Sequence, residues 1–143
     1  MATFNKFQSF VEALAEKVHK LDTDVLRVAL SLTLPSATNT VLANITQIAA
    51  GNGYVAGGSQ ATQATLPGGS VQTGGVYKLT LNDGTFTATP GSIGPFQYVV
   101  LYNDTATNKE LIGWYDYGAQ LTVTAGNSFT VDFDATNGVL TIT

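Results

Sequence analysis

Apolar residues recur along the first twenty positions at the spacing of a helix. Phe7, Phe10, Val11, Leu14 and Val18 fall on one side of a helical wheel, with Lys6, Glu12, Glu16, Lys17 and Lys20 mostly elsewhere around it. This predicts an amphipathic helix over residues 6–20 that lays its apolar stripe on a sheet, either its own or a partner's. From Leu26 the period changes to two. Leu26, Val28, Leu30, Leu32 and Leu34 alternate with Arg27, Ala29, Ser31 and Thr33, the pattern of a half-buried strand, and Pro35 ends it. Leu42, Ile45 and Ile48 return to helix-like intervals, so a short helix or helical turn is expected within residues 40–50, before the turn signal Gly51-Asn52-Gly53.

Beyond Tyr54 the pattern is one of strands and turns. Tyr77, Leu79 and Leu81 alternate with Lys78 and Thr80, and Asn82-Asp83-Gly84-Thr85 carries the Asp-Gly chemistry of a tight hairpin, with residues 86–89 as the return strand. Further strands are expected at 96–102, 111–117, 120–124, 129–134 and 139–143. Asn103-Asp104, Gly118, Gly126-Asn127 and Asn137-Gly138 separate them. Seven or eight short strands with this punctuation imply a mainly β fold, an antiparallel β-sandwich or partly open barrel with an N-terminal amphipathic α-helix. Residues 1–23 read as a helix or arm packing on the sheet or on a neighbour, and residues 24–143 as a single β domain. Within that domain, residues 57–75 are too rich in glycine and polar residues for core and read as a mobile loop or arm with a short strand around 60–66.

A chain of 143 residues supports one ordinary core. Only 11% of its residues are charged, against roughly 25% in typical soluble domains. The deficit is local. Residues 1–27 hold eight charges and residues 28–77 hold none, so fifty consecutive positions are solvated by hydroxyls and amides or covered by neighbours. A net charge of −4 with six dispersed basic residues argues against nucleic acid as a partner, because affinity for phosphate comes from clustered Lys and Arg. The absence of cysteine removes disulfides, thiolate metal sites and a thiol nucleophile. Neither a signal-type apolar run nor an 18-residue apolar stretch occurs, which leads to the expectation of a chain made in a cytoplasm with no membrane partner.

Candidate chemistry is sparse. His19, the single imidazole, falls at the charged end of the expected helix, where a solvated or dipole-partnering role is usual, and it has no second His or Cys with which to build a zinc site or a nucleophile. Asp132 and Asp134 share one face of a strand whose other face carries Phe129, Val131 and Phe133. Two carboxylates are what a glycosidase needs, but alternation with apolar residues is also what any half-buried strand shows, and a solvated face is the simpler reading. Gly51-Asn52-Gly53-Tyr54-Val55-Ala56 matches a dinucleotide fingerprint only formally, since no βαβ unit surrounds it, so a flexible turn is expected there. The Asn-x-Thr sequons at Asn44 and Asn103 read as chance matches. The aromatic residues Phe96, Tyr98, Tyr102, Trp114, Tyr115 and Tyr117 are more suggestive, because Trp and Tyr concentrate at binding hot spots as well as in cores.

The opening MATFNKFQSFVEALAEKVHKL, the block ATNTVLANITQIAAGNGY and the later blocks GSIGPFQYVVLYNDT, LIGWYDYG and FTVDFD resemble a family of small virion structural proteins of tailed bacteriophages, and together they span most of the chain. The resemblance implies capsid decoration, or cement: a non-enzymatic protein of the capsid surface that binds the major capsid protein and further copies of itself. It brings no catalytic, cofactor or metal residues. The candidate interface residues are then Phe7 and Phe10 of the N-terminal segment with Phe96, Tyr98, Tyr102, Trp114, Tyr115 and Tyr117. Rival readings are a neck, tail or baseplate accessory protein, a carbohydrate-binding host-attachment module, and, last, a carboxylate-pair glycosidase.

Overall fold

In the computed structural model, which describes residues 2–61, 63 and 70–143, the chain folds into antiparallel sheets with one short helix and no closed barrel, a mainly β, sandwich-like architecture. The described residues form ten strands: β1 (Thr3–Lys6), β2 (Leu26–Ser31), β3 (Ser59–Ala61), β4 (Val71–Thr73), β5 (Val76–Leu79), β6 (Gly84–Thr87), β7 (Ile93–Asn103), β8 (Leu111–Val123), β9 (Ser128–Val131) and β10 (Leu140–Ile142). Helix α1 (Ser9–Ala15) lies between β1 and β2. The main sheet runs β1-β8-β7-β2-β3, beside a three-stranded sheet β10-β5-β4 and the pair β6-β9.

The main sheet is covered on both faces. On one, Leu26, Val28 and Leu30 of β2 with Val99 and Leu101 of β7 pack against Leu79, Phe86 and Val131 from the smaller sheets. On the other, Ala29, Val100, Tyr102 and Trp114 are roofed by Phe7 and by Leu42 and Ile45 of the connection after β2. This second cover is why β2 is not the half-buried strand its alternation predicts. Ala29 and Ser31, which the alternation turns toward solvent, are each at 0% exposure, as are Leu26, Val28 and Leu30 on the opposite face. The alternation also runs past the strand. Ser31 Oγ accepts the Thr33 amide at 3.1 Å and lies within hydrogen-bonding distance of the carbonyls of Thr33 (2.8 Å) and Thr46 (2.7 Å), which turns the chain, so Leu32 and Leu34 end up exposed instead of inward.

The helix is half the expected length, and the reasons are local. Residues 3–6 pair with β8, from Thr3 opposite Asp116 to Lys6 opposite Gly113. At the other end Lys17 adopts φ 63°, while the Val18 and Lys17 amides donate to the carbonyls of Ala13 and Leu14. This is a Schellman termination with lysine where glycine is usual, so the sequence carries no stop signal. Val11, placed on the apolar stripe by the wheel, is exposed. The helical turn expected in residues 40–50 is a single 3-10 turn, Leu42–Asn44, closed by Asn44 Oδ1 accepting the Thr40 and Val41 amides.

Asn82-Asp83-Gly84 does not make a hairpin. β5 pairs with β4 and β10, whereas β6 pairs with β9, so the Asp-Gly pair lies where the chain crosses between sheets. Asp83 Oδ1 accepts the Phe133 amide at 2.9 Å, and Gly84 packs on Val28, where a Cβ would come within 3.2 Å of the valine methyl. Conversely, Gly118 does not end a strand. β8 is continuous, but between the pairs Phe96↔Leu121 and Tyr98↔Asp116 it spends five residues against two of β7, and Gly118 takes up the bulge at φ 74°. In the Gly-rich stretch, Ser59–Ala61 joins the main sheet and Gln63 Nε2 donates to the Leu21 and Asp24 carbonyls, so these positions are held to the body. The remainder of the strand expected around 60–66, and of the arm at 57–75, includes residues 62 and 64–69, which lie outside the described residues.

Candidate functional site

Six of the eight aromatic residues expected at an interface are core. Phe7 and Phe96 are at 0% exposure, Tyr102 at 1%, Phe10 at 4%, Trp114 at 7% and Tyr98 at 8%. In the folded chain these side chains have almost no surface to offer a neighbour. A β-bulge explains part of the burial. Leu101 faces Gly113 and Tyr102 faces Leu111, one step on β7 against two on β8, which rotates Leu111 and Trp114 onto the same face. Phe7 then stacks on Trp114 at 4.6 Å between ring centroids, roofing that face.

Tyr102 and Arg27 form an anchor that the sequence did not advertise. The Tyr102 hydroxyl donates to the Gly57 carbonyl at 2.7 Å, and the Arg27 guanidinium donates to the carbonyls of Gly57 and Gly58. Burial, then the nearby Asp104, push the Tyr102 phenol up to about 12, so it stays a donor at any ordinary pH. Beside it, the turn at Gly51-Asn52-Gly53 is well tied: Gly51 and Tyr54 exchange both backbone hydrogen bonds, and Tyr54 is buried at 2% exposure. The expectation of a flexible turn is therefore replaced by a fixed one.

Tyr115 and Tyr117 are only half-buried. With Phe4 and Asp132 they line a cavity of about 380 Å³ between the edge of the main sheet and the strand end after β9. Burial first, then neighbouring charge from Tyr117 and Asp134, raises the Tyr115 phenol, and burial followed by Asp132 raises that of Tyr117. The alternation in residues 129–134 holds: Val131 and Phe133 are buried while Asp132 and Asp134 are exposed. Asp134 is occupied in the following turn. Its Oδ1 accepts the Thr136 and Asn137 amides at 2.8 Å and its Oδ2 accepts Asn137 Nδ2 at 2.7 Å. The Asn137 amide, above all, keeps its carboxyl below the usual carboxylate range, which suits a turn cap and makes a poor proton donor at neutral pH.

His19 is placed differently from the solvated position expected of it. It is buried at 4% exposure, 5.4 Å from the Phe10 ring between centroids, with Nδ1 3.2 Å from Asn103 Nδ2. Of the two sequons, Asn103 is fully buried and Asn44 caps the 3-10 turn. No group of three or more His, Cys, Asp or Glu side chains suited to a metal occurs among the described residues.

The exposed apolar side chains follow the charge pattern instead of the aromatic one. Of the six large hydrophobic residues left exposed among the described residues, Val11, Val25, Leu32, Leu34, Val55 and Val71, the last four lie within the uncharged residues 28–77. Leu34 and Val55 are the most open, at 62% and 67%. Hydrophobic periodicity could not find Leu32 and Leu34, because it places them on the inward face of a strand. Comparison with protein-family models, with curated proteins and with solved structures yields no match.

Proposed function

We propose that this chain is a structural protein of a tailed-phage virion, a capsid decoration or cement protein that sits on the capsid surface, binds the major capsid protein and associates with its own copies. The observation that carries the reading is the coincidence of a fifty-residue span without charge and the exposed Leu32, Leu34, Val55 and Val71 inside it. Interfaces deplete Lys, Glu and Asp and bury apolar side chains, and a surface of this kind is stabilised when a neighbour covers it. The resemblance of the sequence blocks to small virion proteins supports the same conclusion. A rigid double-faced sheet suits a protein that acts through shape: binding only the assembled lattice shifts the equilibrium toward that lattice by mass action.

Mass spectrometry of separated heads and tails tests the assignment. Decoration requires the chain in heads at fixed stoichiometry; recovery from tails alone assigns it to a neck, tail or baseplate, and absence from both removes the virion reading.

The cavity beside Tyr115 and Tyr117 favours a second reading, a carbohydrate-binding module for host attachment. Half-buried aromatic rings next to the exposed carboxylate of Asp132 can stack on a sugar and accept its hydroxyls. Titration of cell-wall sugars against tyrosine and tryptophan fluorescence decides it, since a flat response to all of them eliminates this reading.

A further inference from the structure

Three segments meet at Asn103. Its Oδ1 accepts the amides of Thr105 (3.0 Å) and Ala106 (3.1 Å), which fixes which end of the side chain is oxygen. Its Nδ2 donates to Asp24 Oδ2, and its second hydrogen lies between His19 Nδ1 at 3.2 Å and the Val18 carbonyl at 3.4 Å. An amide nitrogen only donates, so a proton on Nδ1 of His19 would set two donors against each other at 3.2 Å; the geometry favours an unprotonated Nδ1 and a neutral ring with its proton on Nε2. Rotating the amide to present oxygen to a protonated ring would set its NH2 against two backbone N–H groups. The node thus favours the neutral form of His19 over the protonated one.

The node also holds the chain between α1 and β2 to the turn between β7 and β8. Asp24 Oδ2 accepts the Lys20 amide at 2.8 Å as well as Asn103 Nδ2, so the connector at residues 16–24 closes on itself through the same carboxylate. His19 Nε2 is buried without a hydrogen-bonding partner. The Leu111 backbone lies near the ring and favours its protonated form, against the larger effect of burial.

We propose that the His19-Asn103-Asp24 node is an acid-operated latch: uptake of one proton by His19 drives the ring out of its site and frees the 16–24 connector from the β7-β8 turn. The charged and titratable groups around the ring come from each element packed on it. Asp24, Lys20 and Asp22 belong to the connector, Glu110 to the chain entering β8, and Tyr77 to β5. Glu110 and Asp24 attract a proton to the ring, but burial outweighs them and His19 titrates below its ordinary 6.5. The sign follows. The latch is closed above 6.5 and opens as pH falls through the lowered value, because the released ring binds the proton more tightly than the buried one.

With a single histidine in the chain, the ring resonances are unambiguous in a nitrogen-proton correlation spectrum. The whole protein is titrated while amide-exchange protection is followed and corrected for intrinsic exchange. At neutral pH the Nε2-protonated tautomer is expected. From 6.5 down to the His19 midpoint, protection of residues 18–25 and 103–106 should fall by up to about tenfold per pH unit, the slope of one proton, and level off below that midpoint. His19→Asn, which keeps an acceptor for Asn103 and does not titrate, should remove that dependence. A Nδ1-protonated ring, protection that stays level through the His19 titration, or an equal acid response in His19→Asn overturns the proposal. If His19→Asn fails to fold, the tautomer and the coincidence of the two midpoints in the intact chain decide it alone.

Discussion

Tyr54 shows how much of this fold rests on single polar atoms. Its hydroxyl donates to Gln47 Oε1 at 2.8 Å and accepts the Leu30 amide at 3.1 Å, so one oxygen joins the 51–54 turn, the connection after β2 and β2 itself. Tyr54→Phe keeps the ring in the core and leaves the Leu30 amide buried without an acceptor. A loss of about 1–3 kcal/mol is expected, read in chemical denaturation as a lower midpoint at unchanged slope. An unchanged midpoint would show that the hydroxyl is dispensable. Neither Tyr54 nor Gln47 stands out in the sequence, because a tyrosine after a Gly-Asn-Gly turn carries no mark of burial. His19 is misplaced by the sequence for a related reason: the wheel puts it on a charged helix end, but the helix stops at Ala15 and the chain turns inward after Lys17.

At the scale of elements, period-two alternation locates β2, β7 and β8 well and their burial poorly, whereas for β9 it gives both. A strand covered on both faces and a strand covered on one can share the same alternation when the second face holds Ala29, Tyr102 or Trp114, residues that fit either setting. Pairing is the other blind spot. Asp83-Gly84 has hairpin chemistry, yet the partner of β6 is β9, more than forty residues away, and long-range pairing leaves no local trace. β1 escapes notice because its four residues merge into the apolar spacing of the helix that follows. Its docking depends on Gly113, where a Cβ would clash with the Phe4 ring and lie 2.7 Å from the Asn5 carbonyl oxygen. Gly113→Ala should therefore push β1 off β8, cost about 1–3 kcal/mol and abolish amide protection at residues 3–6. Retained protection there would show that the sheet edge yields without releasing the strand.

For the molecule as a whole, the mainly β, sandwich-like class was legible from strand number and turn chemistry, and the uncharged span was legible from the residues alone. The surface inside that span was not. Aromatic residues drew attention as binding candidates, but most of them build the two cores, and the apolar side chains left open include Leu32, Leu34 and Val55 on the connections. Serine at these three positions should change folding stability little, since exposed side chains away from caps and buried networks contribute within about 0.5 kcal/mol each. A thermal or chemical denaturation midpoint close to that of the unmodified chain checks this. On the proposed function, the effect of the three substitutions is expected in assembly.

The central claim is that this uncharged, partly apolar surface binds the shell. Cosedimentation of purified protein with phage heads stripped of it measures that directly. The account predicts saturable binding at a fixed ratio to the major capsid protein, lost in the folded Leu32→Ser, Leu34→Ser, Val55→Ser variant. Failure of the unmodified chain to bind heads, or equal binding by the variant, would contradict it.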